Sequence, residues 1–297
     1  MNILQKIKEG FVFFDGATGT VLAGQGSLAP GQAPETLNLS APEIITSLHR
    51  AYIDAGANII KTNTFGANRL KYEDPDAIIG AALTCAKKAK GERDVCLALD
   101  IGPLGKLLNP LGSLEFEEAV SIFAEMVQSG VKHGADAVLI ETMTDLYELK
   151  AALLAAKENC ALPVFVSCSV ESDGKLMTGA EPEAVVALAE GLGADAVGVN
   201  CSAGPLSLLA TVKRFYEAAS IPVIANPNAN LPKIENGKTV YDTTDAEFAQ
   251  NARLLANSGA RLLGGCCGTT PSIIAALKEA VKAETPLPLL ERKRTVV

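Results

Sequence analysis

The chain has 297 residues, 48% apolar and 20% charged, with 26 basic against 34 acidic side chains and a net charge of −8. Such a composition argues against a disordered, collagenous or disulfide-stapled chain. The acidic balance, the absence of Trp and the 5% aromatic content leave no basic footprint, base-stacking platform or aromatic belt, so neither nucleic acid nor a membrane is an expected partner.

The opening Met1–Gly10 mixes charged and apolar residues with no long apolar core, and no run of about 18 apolar residues follows anywhere. A cytoplasmic location is expected. Short β-branched or apolar runs then alternate with helix-patterned stretches. Strands are expected near 11–15, 58–62, 95–100, 137–141, 163–168, 196–200, 222–226 and 261–265. Helices are expected near 43–55, 78–90, 116–133, 145–159, 182–192, 206–219, 244–258 and 271–283. Ser40 before Ala41-Pro42, Thr144 before Asp145 and Thr270 before Pro271 read as helix starts. Gly56, Gly134, Gly193 and Gly259 each precede a strand, where a left-handed residue closes a helix.

Eight strand–helix units predict a single-domain (β/α)8 TIM barrel over residues 1–285, with a linker-like tail over 286–297. A doubly wound open sheet is the competing α/β architecture; no Gly-x-Gly-x-x-Gly follows the first strand. In a parallel barrel the chemistry collects at the carboxyl ends of the strands. Those ends carry Asp15, Thr62-Asn63-Thr64, Asp100, Glu141, Ser167-Cys168, Asn200-Cys201, Asn226 and Cys266-Cys267. Any one of them can equally cap a helix or bond the barrel rim.

The sharpest feature is Gly264-Gly265-Cys266-Cys267-Gly268. Flanking glycines let the backbone turn so that both sulfurs face one point, and a disulfide between neighbours would be strained. Cys201, at an earlier strand end, can supply a third thiolate if the barrel closes. Three thiolates and one open position suit a catalytic Zn²⁺, and sulfur ligation disfavours Mg²⁺ and Ca²⁺. The plainer alternative is that Cys201, Cys266 and Cys267 are small buried hydrophobes. Cys85, Cys96 and Cys160 read as packing residues, Cys168 is ambiguous, and His49 and His133 read as surface or capping groups of the outer ring.

Zinc held by three thiolates is a weak electrophile but still favours the thiolate of an incoming thiol. The chemistry therefore points to activation of a substrate thiol, not to hydrolysis. For a thiol with an amino-acid end, Asp15 and Glu141 can pair with the ammonium, and backbone N–H groups of Gly16, Ala17, Thr18, Gly19 and Thr20 can hold the carboxylate. Asp15-Gly16 alone is also a common turn signal.

Asp15-Gly16-Ala17-Thr18-Gly19-Thr20, Thr62-Asn63-Thr64-Phe65, Glu141-Thr142-Met143, Gly198-Val199-Asn200-Cys201 and Gly264-Gly265-Cys266-Cys267-Gly268 together resemble the homocysteine S-methyltransferase family. That family includes the homocysteine-binding module of cobalamin-dependent methionine synthase and the betaine–homocysteine methyltransferases. The resemblance implies a TIM barrel, zinc on Cys201, Cys266 and Cys267, and homocysteine as the thiol, with Asp15 and Glu141 near its amino group. Attack on a methyl group would then give methionine. Pro227-Asn228-Ala229 resembles a segment whose Asn takes the fourth zinc position before substrate arrives, which implies Asn228 as a ligand in the substrate-free state; Asn230 stands where Gly is often seen.

The donor stays open. No Asp-x-His-x-x-Gly segment of a corrinoid module and no second barrel for a folate are present. A cage for betaine wants aromatic rings, especially Trp; this chain has no Trp and five Tyr, which disfavours betaine. The expectation is a methionine-synthase-type module taking its methyl from methylcobalamin on a partner, with corrinoid and folate-binding modules as possible companions. A small donor such as S-methylmethionine or betaine, a non-catalytic thiol- or zinc-binding subunit, and an aldolase-type barrel using Lys61 are the alternatives.

Overall fold

A computed structural model describes residues 2–235 and 238–291. All eight expected strands are present and run parallel: β1 (Val12–Phe13), β2 (Ile59–Lys61), β3 (Cys96–Ile101), β4 (Ala137–Met143), β5 (Val164–Cys168), β6 (Ala196–Cys201), β7 (Val223–Pro227) and, last in the chain, β10 (Ala260–Leu263). Their spatial order is β1-β10-β7-β6-β5-β4-β3-β2, and a parallel bridge from Phe14 to Ile59 joins the two ends. The sheet is thus a closed barrel, and the open-sheet alternative falls away.

Side chains alternate along each strand, as the pleat requires. One set, Val12, Phe14, Ile59, Ala98, Leu139, Phe165, Ala196, Ile224 and Leu262, fills the barrel interior. Phe14 and Phe165 meet there edge to face at 6.3 Å. The other set, including Ile60, Leu99, Val138, Val166, Val197 and Leu263, packs outward against the helical ring.

The expected ring helices are α4 (Pro42–Asp54), α5 (Pro75–Lys90), α6 (Phe116–Lys132), α7 (Leu146–Asn159), α8 (Pro182–Gly191), α9 (Leu209–Ala218), α10 (Asp245–Asn257) and α11 (Pro271–Ala280). Three short helices precede α4: α1 (Ile3–Glu9), α2 (Gly19–Gly24) and α3 (Leu37–Ser40). The sequence pattern did not mark them, because one or two turns carry too little periodicity. Helix α1 closes the barrel floor, with Ile3 and Ile7 joining the interior cluster. Strands β8 (Pro232–Glu235) and β9 (Lys238–Tyr241) form an antiparallel hairpin after β7, also unanticipated.

Helix ends follow local chemistry. Gly56, Gly134, Gly193 and Gly259 all have positive φ, at 99°, 77°, 80° and 113°. Thr270 caps α11 by accepting from the Ile273 N–H at 3.3 Å. The other two expected starts move by one residue. Ser40 turns back to the Thr36 carbonyl and Ala41 occupies the cap position of α4, while Asp145, not Thr144, caps α7 through the N–H groups of Tyr147 and Glu148.

Cys85, Cys96 and Cys168 are buried in the core, and the Cys160 thiol donates to the Ala156 carbonyl. His133 ends α6 and contacts Asp76 at 3.2 Å. His49 is not a surface group: it is buried, with neither ring nitrogen partnered, and burial pushes its pKa down to about 4. Beyond α11, residues 286–291 form no helix or strand; Arg261 and Tyr216 donate to the carbonyls of Leu287 and Pro288. The rest of the expected tail, 292–297, lies outside the described residues.

Candidate active site

The barrel mouth brings Cys201, Cys266 and Cys267 together, with their sulfurs all within 4.8 Å of one another. Cys201 ends β6 with φ of 55°, and Ser202 follows at 60°. Left-handed backbone costs a non-glycine residue about 1–2 kcal/mol, and here it turns the strand end toward the vicinal pair. That pair sits on a tied loop. The Cys266 N–H donates to the Pro227 carbonyl at 2.8 Å, and the Cys267 carbonyl accepts from Ala229 N–H at 2.9 Å. The Cys267 N–H donates to Asn228 Oδ1 at 3.0 Å, and Gly268 N–H to Thr20 Oγ1 at 2.9 Å.

The flanking glycines serve a different purpose from the one their flexibility suggests. Only Gly268 has positive φ. A Cβ on Gly265 would lie 2.3 Å from Thr269 Oγ1, and one on Gly264 2.6 Å from Phe14 Cβ. They are required by close packing. Asn230 has φ of 78°, which explains why Asn stands in a glycine position: its short polar side chain tolerates left-handed backbone.

Hydrogen bonds from the Cys266 and Cys267 thiols, then from Asn228, push the Cys201 pKa down to about 3. The same contacts with Cys201 push Cys266 and Cys267 up. Crowded this closely, all three thiols can ionise together only with a cation among them.

Beside the triad lies a cavity of about 350 Å³. One wall is the turn Gly16-Ala17-Thr18-Gly19-Thr20. Tyr52 locks this turn by donating to the Ala17 and Thr269 carbonyls at 2.7 and 2.9 Å. The Ala17 N–H is already engaged by Thr269. Glu141, Asp100 and Lys61 form another part of the wall. Asp15, 1% exposed, lies behind Lys61 and is not part of the wall. Its Oδ2 accepts from the Lys61 N–H at 3.0 Å, and its Oδ1 is 4.0 Å from Lys61 Nζ. Burial pushes both Asp15 and Glu141 up to about 7. Burial also opposes the charge on Lys61, but Glu141, Asp15, Cys266 and Asp100 together outweigh it and hold the ammonium charged.

Several site residues carried no assigned role in the sequence. Asn200 pins Thr142, accepting from its N–H at 2.8 Å and donating to its Oγ1 at 2.7 Å, and lies 3.9 Å from Cys266 Sγ. Tyr241, from the hairpin, lays its ring where a Gly268 side chain would be and hydrogen-bonds Cys267. Phe65 lines the cavity and packs on Gly102. The Asn-Cys adjacency marked Asn200; nothing local marked Tyr241, which arrives by tertiary folding.

A family model for homocysteine S-methyltransferases matches residues 12–281. The chain belongs to that family. The chain is 33% identical to methionine synthase of Mycobacterium leprae and 32% identical to that of Mycobacterium tuberculosis, in each case over 94% of this chain and 25% of the relative. It therefore spans about a quarter of the length of these curated relatives. Among solved structures, the homocysteine methyltransferase MmuM of Escherichia coli superposes over 94% of this chain. Its apo form gives a TM-score of 0.75 at 24% identity with 100% of that chain covered; its metallated form gives 0.77 at 21% with 99% covered. At that identity the likeness bears on the barrel fold. Among the described residues, no helix is long and apolar enough to cross a membrane.

Proposed function

We propose that the chain is the thiol-activating barrel of a homocysteine S-methyltransferase that forms methionine. The observation that carries this reading is the convergence of Cys201, Cys266 and Cys267 at the mouth of a cavity walled by carboxylates. A tetrahedral zinc with Zn–S near 2.3 Å separates its sulfurs by about 3.8 Å, so three sulfurs within 4.8 Å fit the ion, and the donor set suits it. Zinc bound there would lower the pKa of an incoming thiol, so that its sulfur is presented as a nucleophile at neutral pH. Asn228, beside the triad, is the candidate fourth ligand of the substrate-free site.

The chain's own residues bind and orient. Glu141 faces the cavity and accepts the substrate's ammonium, with Asp15 acting from behind through Lys61. The turn Gly16–Thr20, whose Ala17 N–H is held by Thr269, offers its other backbone N–H groups to the carboxylate. Fixing both ends of the amino acid aims the sulfur at the donor, the largest contribution a protein makes to a displacement of this kind. The Lys61 ammonium is held charged by its carboxylate neighbours, the reverse of what a Schiff-base lysine needs, so the aldolase alternative loses its nucleophile.

For the donor, we favour methylcobalamin carried by a partner module, with folate-binding modules as further companions. The methionine synthases this chain resembles are some four times its aligned length, which leaves room for such modules. MmuM, covered end to end by the same barrel, favours a second reading in which a small donor such as S-methylmethionine binds directly. Betaine is disfavoured by a mouth without Trp. A non-catalytic zinc- or thiol-binding subunit is the remaining alternative. Seven free thiols fit a reducing cytoplasm.

Purified, zinc-loaded protein given homocysteine with methylcobalamin, S-methylmethionine or betaine in turn should form methionine with the first. Turnover with S-methylmethionine alone would move the assignment to the second reading, and no methionine with any donor would support the non-catalytic one. Cys201→Ser, Cys266→Ser and Cys267→Ser should each lower turnover by at least about 1000-fold, an effect of about 4 kcal/mol.

A further inference from the structure

Asn200 stands next to Cys201 at the end of β6 and is fully buried. Its amide is engaged at every position. Oδ1 accepts from the Thr142 N–H and from Ser167 Oγ, each at 2.8 Å. Nδ2 donates to Thr142 Oγ1 at 2.7 Å and to Cys266 Sγ at 3.9 Å. A primary amide has two N–H donors and two acceptor lone pairs, so none is left over. Asn226, its partner in register on β7, is equally buried, yet neither polar atom of its side chain has a partner. The contacts of Asn200 are therefore a specific arrangement, not what any asparagine at a strand end would find.

The amide cannot be turned over. A backbone N–H only donates, so Thr142 fixes which end of the amide is oxygen, and the N–H end has to face the sulfur. Thr142 is itself shaped for this contact. It has φ of 63°, rare for a β-branched residue. It lies at a bulge: Ile140 pairs with Val166 but Met143 pairs with Cys168, so β4 carries one residue more than β5 between those pairs. A bulge re-aims the groups beside it, and here both the N–H and the hydroxyl of Thr142 meet Asn200.

We infer that Asn200 is a positioning residue for the metal, whose N–H takes up part of the charge on the Cys266 sulfur and so sets how strongly that sulfur donates to zinc. The inference rests on the reading of the cysteine triad as the zinc site. Partners of the ligating atoms tune a metal's affinity and charge, and an ionised sulfur is a stronger acceptor than a neutral one. Three thiolates already outweigh the charge of the ion, and a substrate sulfur adds a fourth. A donor aimed at Cys266 draws charge away from the centre, which favours arrival of that fourth sulfur whatever else the thiol carries.

The test uses Asn200→Asp, close to isosteric, in protein loaded with Co²⁺ or Zn²⁺. The variant keeps an oxygen for the Thr142 N–H and for Ser167 but has no N–H for the sulfur. With Co²⁺ bound, its sulfur-to-metal charge-transfer band should move to lower energy than in wild type, because a sulfur without its donor is more electron-rich. With Zn²⁺ bound, homocysteine and propanethiol, which lacks the amino-acid end, should both bind about tenfold more weakly by calorimetry. Ser167→Ala removes a bond to the same amide but none to the sulfur, and should leave the band and both affinities unchanged. An unmoved band in Asn200→Asp, weakening of homocysteine alone, or an equal band shift in Ser167→Ala would each overturn the assignment and leave the triad standing as the metal site. If Asn200→Asp folds poorly, wild-type protein loaded with a spin-active cadmium isotope decides the matter by NMR. The Asn200 side-chain N–H should show scalar coupling to the metal across the hydrogen bond, and absence of that coupling would overturn the assignment. Wild-type protein that binds neither Co²⁺ nor Zn²⁺ at the triad would overturn the zinc reading as well.

Discussion

Cys201 and Gly16 show how single residues are constrained here by what they must approach. Cys201 accepts left-handed backbone so that its sulfur reaches a pair 65 positions away in sequence. Gly16 lacks a side chain because a Cβ would lie 2.6 Å from Thr269 Oγ1 and 2.8 Å from Tyr52 Oη. Gly16→Ala should therefore destabilise the protein by about 1–3 kcal/mol through overpacking. Gly10→Ala, where nothing lies within 4 Å, should change stability far less. Urea unfolding of both variants checks this, and equal midpoints would contradict it. The sequence displays which residues are glycines and cysteines. It does not display whether a glycine is needed for its dihedral angles or for its missing side chain, because only the neighbours decide that. For the same reason Asp15 read as a cavity residue: its strand-end position was legible, but the Lys61 side chain in front of it was not.

At the scale of elements, the barrel strands and ring helices were legible because each repeats one pattern, an apolar strand, a polar end and an amphipathic helix, with a glycine before every second strand. The glycine closure makes a prediction. Gly193 has φ of 80°, and a Cβ there would meet nothing closer than 3.6 Å. Gly193→Ala should therefore cost about 1–2 kcal/mol from backbone conformation alone, read as a lower urea midpoint with thiol binding unchanged. A neutral substitution would contradict the role assigned to that residue. Elements without repeated pattern went unread. Helix α1 has seven residues, too few for periodicity to stand out. The β8–β9 hairpin follows a strand that already completes a barrel unit, although Asn236-Gly237 in the sequence is a recognised hairpin signal.

The whole molecule converts these local features into a site by closing the sheet. The bridge between Phe14 and Ile59 sets β1 beside β2, and hence Asp15 beside Lys61. Closure also surrounds buried groups on every side, and His49 in α4 gives this a measurable consequence. Its pKa falls from 6.5 to about 4 on burial, so below pH 6.5 the unfolded chain takes up a proton that the native one refuses. Stability is fully present above that pH and is lost as pH falls toward 4, by roughly 3 kcal/mol from this group. His49→Met should lose that much less between pH 7 and pH 4 in urea titrations; an identical acid loss would show that His49 contributes nothing to it.

The central claim is that three cysteine sulfurs hold one zinc ion and leave a position for the sulfur of homocysteine. X-ray absorption at the zinc edge of the purified protein, with and without homocysteine, counts those sulfurs directly. The account predicts one zinc per chain with three sulfur neighbours, rising to four when homocysteine binds. Fewer than three sulfurs in the free protein, or a count that stays at three with homocysteine bound, would contradict it.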